Sequence, residues 1–156
     1  MLKRLLTITL LSVAVAFAGP AWSYDTAMAA SYAKLFAPVK GAGAGMALHL
    51  IAVDDFVEDI KDGEEFVVID VRTPAETGVF GMALPDRLSI PADQLFQPEN
   101  LDQLPADRPI IIMCQSGIRS VAVGTGLRHI GFDKVYILKG GFKALSSFLG
   151  PRQAYQ

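Results

Sequence analysis

Two segments of this chain are apolar at nearly every position and rich in β-branched residues, FVVIDV (66–71) and PIIIM (109–113). A strand with one wet face alternates apolar and polar residues, whereas a strand buried on both faces does not. The same pattern in shorter form marks LHLIA (48–52), LSI (88–90) and VYIL (135–138) as strands. Helical stretches lie between them. DDFVEDIKDG carries Asp54 as a cap and Gly63 as a stop. A second helix covers about 118–130 and closes at Gly131, and a last one runs from Phe142 to about Leu149. The stretch 73–100 is punctuated by prolines and predicts irregular chain, with one short helix near Ala92–Phe96. Strands alternating with helices imply an α/β domain over 47–150, built on a mostly parallel sheet covered on both sides, with 151–156 as a tail.

Upstream of the domain, residues 24–39 place Met28, Tyr32, Leu35, Phe36 and Val39 at helical spacing, with Asp25 or Thr26 as a cap. GAGAG (41–45) reads as a flexible joint too rich in glycine for a regular element. The helix on this joint either docks on a partner protein or folds back on the domain's own surface. Residues 1–23 form a short basic head and a largely apolar run at 5–18, shorter than the ~20 residues a membrane span needs. That is the form of a secretory signal peptide, cleaved after Ala18 or, preferably, after Ser23. An uncleaved N-terminal anchor is the alternative.

Removing Lys3 and Arg4 with that segment leaves 12 basic residues against 16 acidic ones, a net charge of −4. Nucleic acid is thereby a poor candidate partner. No later segment is long and apolar enough to span a membrane, so the mature form is expected to be periplasmic or secreted and not membrane-spanning. Disulfides are ordinary in such a compartment, yet Cys114 is the chain's single cysteine and has no partner within it.

Cys114 stands at the carboxyl end of an apolar strand, where ligands gather in open parallel sheets. Gln115, Ser116 and Gly117 turn the chain into the next helix, and a turn that tight directs its amides inward. Gly117 tolerates positive φ, and the helix begins with unpaired N–H groups and the positive end of its dipole. A sulfur at Cys114 would sit in a ring of donors that favours a thiolate or another anion. Ile118 opens the helix, Arg119 adds positive charge, and Ser120 is placed to cap or steady the helix start. Asp70 and Arg72, at the end of strand 66–71, share the rim; substrate contact is the alternative, and they are expected rather to brace the rim as an ion pair. Tyr136, Lys139 and the Gly140-Gly141 turn are read as shaping the rim.

The loop CQSGIRS resembles the active-site loop of rhodanese-type sulfurtransferases. VVIDVRTPAE (67–76) and VYILKGGFKAL (135–145) are similar to two further motifs of that family, in the same order, and the resemblance covers about 48–149. It implies a five-stranded rhodanese-like sheet and a persulfide on Cys114. A sulfane-sulfur donor such as thiosulfate or a persulfide would load it, and cyanide or a thiol would accept the sulfur, without a cofactor or a metal. Three positions depart from the family pattern: Met82 and Asp86 replace a histidine and a glycine, and Leu145 replaces a tryptophan. Gln115 and Ser116 are neutral where good thiosulfate users carry an extra basic residue, so thiosulfate is expected to be a modest donor.

Rival chemistries are weaker. Related phosphatases and arsenate reductases have a loop one residue longer than the six residues from Cys114 to Arg119. A Cys–His enzyme needs a histidine at the sulfur, and His129 lies roughly 16 Å along the helix at 1.5 Å per residue. His49 stays open on distance. Redox disulfide chemistry and zinc binding need more cysteines. A non-catalytic sulfur carrier for a partner enzyme is the alternative from another class.

Overall fold

A computed structural model of the chain describes residues 24–150, and the expected signal segment 1–23 and tail 151–156 lie outside the described residues. Among the described residues, seven α-helices and five strands follow in the order α1 (Thr26–Phe36), α2 (Ala44–Ala47), β1 (Leu50–Ile51), α3 (Val53–Asp62), β2 (Val67–Asp70), α4 (Pro74–Val79), β3 (Arg87–Ser89), α5 (Pro98–Leu101), β4 (Ile110–Met113), α6 (Ile118–His129), β5 (Val135–Leu138) and α7 (Gly141–Phe148). The sheet order is β1-β5-β4-β2-β3 and every pairing is parallel. It is the rhodanese-like architecture that the resemblance implies.

Unbroken apolar runs become the middle of the sheet because every residue of β2 and β4 is buried. Successive side chains leave a strand on opposite faces, so each run feeds two cores. Val67, Ile69, Ile110 and Ile112 pack with Val123 and Leu127 of α6 and with Leu95. Val68, Ile111 and Met113 pack on the other face with Phe56 of α3 and Leu145 of α7. Each such side chain contributes roughly 1.5–3 kcal/mol on full burial. Leu145 and Met82 both join this second core, and Asp86 meets Arg108 at 3.2 Å on the surface. The departures from the family pattern are accommodated by packing and by a surface ion pair, away from the cysteine loop.

Five expectations change. Asp54 does not cap α3, because Ala52 holds the N-cap position and Asp54 lies inside the first turn. Residues 74–79 are helical where irregular chain was expected, because Pro74 occupies the first helical position and Thr73 and Glu76 form a reciprocal capping box. Conversely, Ala92–Phe96 is a run of turns, and the short helix lies at Pro98–Leu101 instead. The glycine-rich segment is ordered as a 3-10 turn at Gly41–Gly43 running into α2. Arg128 of α6 donates to the Ala47 carbonyl at 3.0 Å and satisfies the end of that helix, tying the supposed joint to the domain. Finally, α1 covers only Thr26–Phe36 of the expected 24–39, while of the two expected placements it takes the folded-back one: the Tyr32 ring stacks on His129 of α6 with centroids 4.1 Å apart.

Candidate active site

A parallel sheet places the carboxyl ends of all its strands on one rim. Asp70 pairs in register with Met113, so the residues that follow β2 and β4 are neighbours there. The chain leaves β4 through Cys114, Gln115, Ser116 and Gly117 and enters α6 at Ile118. Gly117 is the N-cap, with φ 88°, and its N–H donates to the Cys114 sulfur at 3.2 Å.

The inward amides have a cause outside the loop. The N–H of Phe142 donates to the Cys114 carbonyl at 2.8 Å, and that of Lys143 donates to the Gln115 carbonyl at 3.0 Å. With both carbonyls held against the start of α7, the loop's own N–H groups are left facing the sulfur. This close approach requires Gly141, whose φ is 58° and at which a Cβ would strike the Cys114 carbonyl.

Cys114 is fully buried. Burial pushes its thiol pKa up, but the Ser120 hydroxyl and the amides of Ser120, Ser116 and Gly117 favour the thiolate, and the net shift is downward. Ser120 does not cap the helix, as Gly117 occupies that position. Its hydroxyl is buried and meets no strict hydrogen-bond geometry, yet it lies close enough to the sulfur to stabilise a thiolate. Of the other loop residues, Gln115, Ser116 and Ile118 are exposed and Arg119 is half-buried.

Arg119 is held by a residue that sequence reasoning missed. Glu76 of α4 receives Nη1 at 2.8 Å and Nη2 at 2.6 Å in a two-pronged pair. The Arg119 guanidinium and the Thr73 amide pull the Glu76 carboxyl from 4.5 down to about 2. In return Glu76 raises the pKa of Arg119, with a smaller push in the same direction from the Cys114 sulfur. The T-x-x-E capping signature at 73–76 could have flagged Glu76 as ordered, though not its partner 43 residues on.

Asp70 and Arg72 form a buried ion pair at the rim. Arg72 is 1% exposed and binds Asp70 through Nε and through Nη2 at 2.6 Å, while Nη2 also donates to the Phe80 carbonyl. Its guanidinium lies 4.2 Å from the centre of the Phe142 ring, the residue whose amide fixes the Cys114 carbonyl. Neither histidine serves the sulfur. His49, in a left-handed conformation with φ 56°, bonds the Val135 carbonyl at the amino end of β5, the end opposite the rim, and His129 is stacked under Tyr32. Among the described residues no cluster of His, Cys, Asp and Glu could hold a metal ion.

Residues 52–147 match the family described as Rhodanese-like domain. A protein of Allochromatium vinosum named sulfurtransferase is 36% identical over 85 residues, which make up 54% of this chain and 76% of that protein. A tRNA uridine(34) hydroxylase of Salmonella newport is 34% identical over 99 residues, but the chain spans only 27% of it. Among solved structures, a rhodanese-like domain protein from Staphylococcus aureus superposes with a TM-score of 0.55 at 28% identity, covering 62% of this chain and 89% of that one.

Proposed function

Because the chain belongs to the rhodanese-like domain family, we propose that it is a sulfurtransferase in which Cys114 takes a sulfane sulfur from a donor such as thiosulfate and passes it to cyanide or a thiol. One observation carries this reading: the only cysteine is seated at the sulfur-facing side of an amide ring, with the Gly117 N–H on Sγ at 3.2 Å. In the loading step the thiolate attacks the outer sulfur of thiosulfate. The donor's S–S bond breaks and sulfite leaves with the bonding pair. The new persulfide carries its negative charge on the outer sulfur, among donors already oriented toward it. In the discharge step the acceptor attacks that outer sulfur and the electron pair returns to Cys114, regenerating the thiolate. Charge balances in both steps.

The Arg119–Glu76 pair supports sulfur over phosphate chemistry. A phosphatase of the related loop type needs its arginine for the phosphoryl oxygens, and here that guanidinium is held by a carboxylate at 2.6 and 2.8 Å. The complete burial of Cys114 favours a second reading, a sulfur carrier that exchanges only with a partner protein able to open the loop. The N-terminal head and apolar run support export to a bacterial periplasm, which fractionation of cells expressing the full chain tests.

The deciding experiment is intact-mass measurement after incubation with thiosulfate. One added sulfur, removed by cyanide and absent in Cys114→Ser, is the expected result. A full turnover rate in Cys114→Ser, or no adduct with any sulfane donor, overturns the proposal. Rapid loading with slow discharge to small thiols would identify the carrier.

A further inference from the structure

We propose that Lys139 and Lys143, on either side of the Gly140-Gly141 turn, supply the positive field that selects an anionic sulfur donor for Cys114. The inference rests on the sulfur-transfer reading of the site and adds the charge class of the donor and the residues that choose it. The cysteine loop cannot make this selection by itself. Its exposed side chains, Gln115, Ser116 and Ile118, carry no charge. Arg119 is paired with Glu76 and Arg72 with Asp70, so each rim arginine sums with its carboxylate to zero.

The turn before α7 lies against the loop. The Lys143 amide is bonded to the Gln115 carbonyl at 3.0 Å, and a Cβ built on Gly117 would sit 3.2 Å from the Gly140 nitrogen and 3.5 Å from the Leu138 carbonyl. Both lysines are exposed. The ion pairs among the described residues are Arg72–Asp70, Arg108–Asp86 and Arg119–Glu76, which leaves Lys139 and Lys143 without a carboxylate. Both lysines stand on the turn that lies against the loop, and at moderate salt a charge acts over about one Debye length, roughly 8–10 Å. They draw in a dianion such as thiosulfate, offset the repulsion from a negatively charged protein, and do nothing for an uncharged donor. Selection by charge from outside the loop explains how neutral Gln115 and Ser116 are compatible with an anionic substrate.

The test compares wild type with the double variant Lys139→Gln/Lys143→Gln and with the charge-conserving double arginine variant, after equal urea midpoints establish intact folds. With thiosulfate at low ionic strength, the glutamine variant should raise KM by about 3–10-fold with kcat little changed. Added salt should erase the difference, the arginine variant should match wild type, and loading from a neutral organic trisulfide should be unaffected. An independent readout uses Cys114 alkylation: the ratio of the iodoacetate rate to the iodoacetamide rate should fall by a similar factor in the glutamine variant. Unchanged KM and an unchanged alkylation ratio overturn the inference. A ratio that responds to the lysines in a protein that transfers no sulfur would overturn the sulfurtransferase reading and leave the cationic mouth standing.

Discussion

The rim carries two arginine–carboxylate pairs with the same closest contact, 2.6 Å, in Arg72–Asp70 and in Arg119–Glu76. They differ in surroundings. The Arg72 side chain is 1% exposed and that of Asp70 is 11%, whereas Arg119 and Glu76 are 37% and 30% exposed. Similar hydrogen bonds therefore do different work. A buried pair is costly to break because the remaining charge has no water to turn to, while an exposed pair contributes little to stability and can be used to set local charge. The first pair holds the architecture under Phe142 and the second sets the charge beside the sulfur.

The sharpest way to break the comparison is to remove one carboxylate from the buried pair. Asp70→Ala strands a buried guanidinium and should cost about 3–5 kcal/mol in urea unfolding. The double variant Asp70→Leu/Arg72→Met removes both charges and should cost less than the single one. If Asp70→Ala loses under about 1 kcal/mol, Arg72 reaches solvent more easily than its burial says, and the contrast between the pairs fails.

A smaller effect comes from the half-buried pair, Arg119–Glu76. Glu76→Gln keeps a side chain able to complete the capping box, so it deletes the charge and leaves the start of α4 intact. The expected stability loss is about 1 kcal/mol or less. The informative change is at the sulfur: removing a negative charge beside Arg119 leaves the guanidinium's attraction for the thiolate unopposed. The pH midpoint of Cys114 alkylation should move down relative to wild type, which itself lies below an ordinary thiol. An unmoved midpoint would mean that Glu76 serves only to anchor α4.

How much of this was legible follows from where each interaction is encoded. Cys114, Gly117 and α6 are local: an apolar run, a glycine and a helix start within ten residues carry the cradle's outline. The buried runs at 67–70 and 110–113 likewise announce the centre of the sheet, because burial on both faces leaves no polar positions. The Asp70–Arg72 pair was readable for the same reason, its members being two residues apart at a strand end. Glu76 was not, since its role depends on an arginine 43 residues later, and Pro74 was read as a break when it is the first residue of a helix. Nor could the sequence say that Phe142 and Lys143 turn the loop's carbonyls away from the sulfur, a contact made only once β5 lies beside β4. Ordering of Gly41–Ala47 was missed for a third reason: its stabilising donor, Arg128, comes from α6.

The smallest expected effect sharpens the comparison through pH. Glu76 is lowered in the folded protein from 4.5 to about 2, so the unfolded chain binds its proton first as acid is added. Its contribution is complete above the unfolded value and is lost as pH falls through the folded one. The stability gap between wild type and Glu76→Gln should therefore be constant above pH about 5.5 and shrink between about 4.5 and 2. Urea unfolding of the two proteins across that range measures it directly. Salt should narrow the gap at neutral pH as well, because the pair is open to solvent and its attraction is screened. A gap that survives to pH about 2 without shrinking would assign the Glu76 contribution to packing and capping, making the half-buried pair structural like the buried one.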